Sequence, residues 1–173
     1  MPRPVAIAVA VGLTLGGSAA ASEWQATEGP TLQLPERPHG LVAAELLGKP
    51  VLVATSPKGT WVVQPRTGEV LFRAPTGGSS LLVRPAGEGG YPSVLTCSPY
   101  GIQRLDLSAD GFADAVSLSS EACGDIAAVH IRGGSADTDL ATAGQGATAW
   151  RYQGDGLARV GNVSGLGDQV PLL

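Results

Sequence analysis

From residue 41 onward, short apolar runs alternate with turns rich in Gly and Pro, and the same order of runs and turns occurs three times. In the first unit the runs are residues 41–46, 51–55, 60–64 and 69–73, separated by Gly48-Lys49-Pro50, Ser56-Pro57-Lys58-Gly59 and Thr67-Gly68. The second has runs at 81–84, 93–97, 102–107 and 113–118, with turns at 87–92, Ser98-Pro99-Tyr100-Gly101 and Asp110-Gly111. The third has runs at 126–131, 139–142, 147–152 and 157–163, with a Gly-Gly-Ser loop, a turn at 144–146 and Asp155-Gly156. Apolar stretches this short, bounded by turn residues, predict strands. No window sustains apolar spacing at three and four residues, and Gly or Pro interrupts most longer stretches. The best helical stretch is 41–47, and its register against Leu81 and Ile126 favours strand.

Gly59, Gly101 and Gly146 close equivalent turns 42 and 45 residues apart. A period of that length marks an array of supersecondary units, and four strands in about 33 residues is the content of one propeller blade. The fold expected is all-β, a partial β-propeller of about three four-stranded blades at residues 41–75, 81–119 and 126–163, within a repeat region 41–173. The dipeptides Thr67-Gly68, Asp110-Gly111 and Asp155-Gly156 fall at matching points, and Asp-Gly is a strong hairpin signal. Known propellers have about four to eight blades. Three would leave open ends, so the chain is expected to associate with itself or with a protein partner, or to be a fragment of a longer propeller.

The N-terminus changes the picture of where the chain works. Residues 1–21 carry Arg3, an apolar stretch and a small-residue site with Ala19 and Ala21, the layout of a secretory signal peptide. Its apolar run contains Gly12, Gly16 and Gly17 and falls short of the roughly 20 residues a membrane span needs. Residues 22–40 then read as a linker with one short strand at 31–34, flanked by prolines. The expected location is secreted or periplasmic, with no membrane insertion after cleavage. Removing Arg3 leaves ten basic against fifteen acidic residues, a net charge of -5, which argues against nucleic acid as a partner. The chain is Ala-rich, and Arg outnumbers Lys nine to two, the bias of a GC-rich bacterial gene.

Cys97 and Cys123 are the only cysteines. An even count in an exported chain predicts a disulfide between them. A nucleophilic role would need a base, and the only histidines are His39, in a loop beside Pro38 and Gly40, and His130, within the run 126–131. Neither has a nucleophile motif in reach, and positions 39, 97, 123 and 130 lack zinc-ligand spacing. The Gly-Gly pairs at 77–78, 89–90 and 133–134 lack the strand-loop-helix context of a phosphate cradle. No catalytic, cofactor or metal residue is expected, and the chain is read as a non-enzymatic binding or structural module.

Gly48-Lys49-Pro50, Gly90-Tyr91-Pro92 and Asp137-Thr138-Asp139-Leu140, each leading into an apolar strand, resemble the second half of the FG-GAP or VCBS repeat of extracellular β-propellers. The resemblance covers 41 to about 163. It implies propeller blades and, in blades with a full Asp/Asn-rich loop, bound calcium. Here unit one has Glu45-Leu46-Leu47-Gly48-Lys49 in that loop and unit two offers only Glu88, short of the six or more oxygens calcium takes. In unit three Ser135, Asp137 and Asp139 remain, and whether they bind calcium stays open. Residues 59–72 also resemble one repeat of the quinoprotein-type propellers, with Phe72 where Trp is usual. That resemblance implies the same architecture and the alternative of a truncated enzymatic propeller of hydrolase or quinoprotein type.

Overall fold

The computed structural model describes residues 34, 36–84, 91–129, 131, 139–144, 146–153 and 156–163. Among them there is no helix, and the strands form three antiparallel sheets. Sheet I runs β1 (Gly40–Leu46), β2 (Lys49–Ser56), β3 (Gly59–Val63) and β4 (Val70–Ala74) in chain order. Sheet II holds β5 (Ser80–Arg84), β6 (Ser93–Ser98) and β7 (Gly101–Ser108), and its outer edge is shared by β8 (Gly111–Phe112) and β9 (Val116–Ser119). Sheet III runs β10 (Asp125–Ala128), β11 (Asp139–Ala143), β12 (Ala147–Gln153) and β13 (Gly156–Val163).

Alternation along the strands explains how the sheets stack. Val51, Val53 and Val62 point one way from sheet I and meet Leu81, Val94, Leu105 and Leu107 of sheet II. The alternate residues of sheet II, Leu95, Cys97 and Ile102, meet Ile126, Leu140 and Trp150 of sheet III. Sheet II is therefore buried on both faces, which is why β6 is buried at every position from Val94 to Ser98 instead of at alternate ones. Each fully buried Leu, Val or Ile contributes about 1.5–3 kcal/mol, so the two sheet-on-sheet layers are the main source of stability. The first strands of the three sheets lie in a row, with β5 against both β1 and β10.

The link between sheets I and II shows where glycine is required. A Cβ on Gly77 would sit 2.0 Å from the Ser56 carbonyl oxygen, and one on Gly78 would sit 2.3 Å from that of Cys97. The Gly-Gly pair threads between the ends of β2 and β6, and the Gly78 amide donates to Thr55 Oγ1 at 3.0 Å.

The tight turns share a device. In Ser56-Pro57-Lys58-Gly59, Ser98-Pro99-Tyr100-Gly101 and Ser108-Ala109-Asp110-Gly111 the serine Oγ accepts from the amide two residues on, at 3.1, 3.1 and 3.3 Å. Serine pairs with glycine across each turn, a local side-chain bond that competes well with regular structure at such points. Unit three has no serine there. Ala143 instead pairs with Ala147 across a loop one residue longer.

Several expectations need correction. The first turn is Leu47-Gly48, both at positive φ, +50° and +73°, as a two-residue hairpin of the primed type demands; Lys49 and Pro50 already belong to β2. The run 113–118 is not one strand: Ala113, Asp114 and Ala115 separate β8 from β9, and the ladder to β7 is irregular between Ile102 and Gln103. Gly111 closes its turn opposite Ser108 and is not the second central residue of a two-residue hairpin, although its φ of +116° is positive as expected. The first strand of unit three ends at Ala128, short of the expected 131. Leu34 is described and lies outside any strand. The signal peptide at 1–21, residues 22–33, His130, Ser135, Asp137, Asp155 and residues 164–173 lie outside the described residues.

Candidate interaction surfaces

Cys97 is the last residue but one of β6, and Cys123 lies in the connection from β9 to β10. The two are disulfide-bonded with their Cα atoms 5.6 Å apart, as the cysteine count predicts. The bond fixes the entry to sheet III against sheet II. Around it Ser79 Oγ donates to the Gly124 carbonyl at 2.8 Å, and the Cys123 amide donates to the Ser98 carbonyl at 3.0 Å. Ser80 Oγ donates to the Asp125 carboxylate. That hydroxyl, followed by the Ile126 amide, holds the Asp125 carboxyl below its ordinary value.

His39 is exposed just ahead of β1, its amide donating to the Thr55 carbonyl at 2.8 Å. Among the described residues no group of three acidic, His or Cys side chains is placed to hold a metal. Asp139 is turned to another purpose. Its side chain is fully buried, Arg151 Nε donates to Oδ1 at 2.7 Å, and Oδ2 accepts from the Ile131 amide at 3.1 Å. The carboxylate raises the Arg151 pKa through that hydrogen bond first. Asp139 is thus ion-paired with Arg151, while Ser135 and Asp137 lie outside the described residues.

Where sheets II and III meet, Arg84 stacks on Tyr152 with its guanidinium carbon 4.1 Å from the ring centroid, a cation–π arrangement. Burial pushes the Tyr152 hydroxyl pKa up, while the Arg84 and Arg104 charges oppose the shift. Arg104 Nε donates to Asp106 Oδ2 at 3.1 Å. These groups tie β5, β7 and β12 together.

The two outer faces of the stack remain. Sheet I turns Leu52, Ala54, Trp61 and Val63 away from sheet II, and all four are buried. Sheet III turns Ala127, Ala141, Ala143, Ala147 and Ala149 away from sheet II, because Ile126, Leu140 and Trp150 alternate with them toward it. Ala127 and Ala143 are exposed and the other three half-buried. Composition alone does not single out this alanine wall. It becomes visible only once register aligns Ala127 with Ala141 and Ala141 with Ala149. Other exposed apolar side chains are scattered, with Leu47 and Tyr100 at turn tips and Val70, Leu71, Val116 and Val160 on outer strands.

Comparison of the chain with protein-family models, with curated proteins and with solved structures finds no match.

Proposed function

We propose that the chain is an exported, non-catalytic binding or structural module of the β-propeller type, whose three sheets serve as blades and whose array is completed by a second copy or a protein partner. The observation that carries the reading is the row of first strands. β1, β5 and β10 stand side by side, each the first strand of an antiparallel sheet of four or five strands, and blades radiating from a common axis have that arrangement. The Cys97–Cys123 disulfide is consistent with an oxidising compartment.

The alanine face of sheet III is where the incoming sheet packs. Small side chains let two sheets approach closely, and an array of repeats leaves an apolar face at an end that is not capped. Light scattering on residues 22–173, read beside the melting curve, tests the proposal. Association is expected, and Ala141→Arg should dissolve it while leaving stability within about 0.5 kcal/mol, the range for surface changes. A compact monomer with a sharp thermal transition would overturn the reading and mean that the three sheets are complete by themselves.

A further inference from the structure

The two edges of each sheet are in different situations. The first strands stand against one another, β5 touching both β1 and β10, whereas β4, β8 with β9, and β13 form the outer edges. Among the described residues no strand pairs with the outer side of any of these. An edge of that kind presents a row of unpaired N–H and C=O groups, a template on which another chain can add a strand.

Interruptions of strand pairing fall on these outer strands. The ladders β1–β2, β2–β3, β5–β6, β6–β7, β10–β11 and β11–β12 run residue for residue. On β4, Phe72 pairs with Val62 and Val70 with Val63, so Leu71 is left over. On β9, Ser119 pairs with Ile102 and Ser117 with Gln103, leaving Leu118. On β13, Gly161 pairs with Ala149 and Arg159 with Trp150, leaving Val160. Each of the three strands thus carries one extra residue, a bulge that disrupts the ladder locally and increases the twist.

A charge accompanies each bulge. Arg73 is exposed on β4, Asp114 is exposed where the chain leaves β8 for β9, and Arg159, 3.6 Å from Glu121, is exposed on β13. These strands are the ones that need protection, because Val70, Leu71, Val116 and Val160 are exposed apolar side chains on them. An open edge with β-branched and apolar residues is an aggregation hazard, and bulges and charges are the devices that blunt it. A bulge that served packing in general would fall on inner and outer ladders alike. Here the bulges stand only where the edge is open.

We propose that the bulges at Leu71, Leu118 and Val160 are a guard built into the rim of the stack, which keeps the outer strands from pairing with those of a second copy. Each bulge breaks the run of main-chain donors and acceptors that an added strand would need, and the neighbouring charge would be stripped of water by it. The guard does not depend on the association proposed above, which concerns the outer face of sheet III and not its edge.

Removing the extra residue tests it. In the chain 22–173, deletion of Leu71 or of Val160 brings the flanking pairs into consecutive register and takes away no buried side chain. Each deletion variant is expected to keep a cooperative melt and to form assemblies that bind thioflavin T, which the parent chain does not form. In those assemblies the amides of the altered outer strand should exchange with solvent at least about tenfold more slowly, the mark of a newly paired strand. The deletions should act equally in Ala141→Arg, so that edge pairing is read apart from contact through sheet III. Folded deletion variants that form no such assemblies would overturn the proposal. So would assemblies whose outer-strand amides exchange as before, or loss of folding in both deletions, which would make the bulges a requirement of the sheets themselves.

Discussion

Sheets I and III are both four-stranded meanders packed on the same central sheet, yet they are held in different ways. Sheet I is buried on two faces by large side chains, Val51 and Val53 toward sheet II and Leu52, Trp61 and Val63 away from it. Sheet III is buried on one face, presents alanines on the other, and is joined to its neighbour by a disulfide and by Ser79, Ser80 and the Asp125 carboxylate. Identical topology therefore does not dictate one stabilising chemistry. Where apolar area is available on both faces, burial suffices; where one face has small residues, covalent and polar links take over at the junction.

The largest expected effect breaks this contrast at its strongest point. Trp61→Ala should cost about 3–5 kcal/mol by chemical denaturation, the range for an aromatic removed from a packed interior. The opposite-face edit Ala149→Leu on sheet III should change stability by no more than about 0.5 kcal/mol. Equal losses at the two sites would mean that both outer faces are covered alike.

Next comes the covalent link. Cys97 and Cys123 are 26 residues apart in sequence, and closing a loop of that length is worth about 3.5 kcal/mol in the chain-entropy model. Replacing both cysteines with alanine should destabilise the fold by that amount, with hydrogen exchange rising in β10–β13 before β1–β4. A uniform rise would show that the bridge serves the whole stack equally.

Gly111 probes the outer corner between sheets I and II. Its φ is +116°, and a Cβ there would lie 3.3 Å from Phe72 Cδ1 on β4. Gly111→Val should cost about 1–3 kcal/mol, the range for a strained backbone position, and an unchanged melting curve would remove the corner from the account. A turn with a positive-φ glycine here is legible in the sequence from the Asp-Gly pair, although Gly111 closes that turn opposite Ser108 instead of sitting at its centre. The contact of Gly111 with Phe72 is not legible there, since that contact joins two units 39 residues apart along the chain.

Acid should have the smallest effect and act at both ends. The Lys58 ammonium, then the Ser56 hydroxyl, holds the Glu36 carboxyl below its ordinary 4.5, and the Ser80 hydroxyl with the Ile126 amide holds Asp125 below its ordinary 3.8. Both folded pKa values lie below the unfolded ones, so the stabilisation is whole above those ordinary values and is lost as pH falls through the folded values. Melting points measured across this acid range should fall, beginning near pH 4.5 for the Glu36 contribution. Lys58→Met should flatten the part from sheet I, and Ser80→Ala the part from sheet III. A profile that neither variant alters would exclude both carboxylates as the cause.

The all-β class, the three successive units, most strand positions, the cysteine pairing and the positive φ at Gly111 can all be read along the chain. These are local matters: turn residues, a two-residue alternation and a short list of possible partners are readable without neighbours in space. Packing between the sheets was needed for the rest. It settles which member of each alternation faces which sheet, that Arg151 takes the Asp139 carboxylate, that the Gly77-Gly78 link passes between two strand ends, and that five alanines from three strands form one wall. A strand carries two faces of equal standing, and what covers each is decided by residues from another sheet, far along the chain.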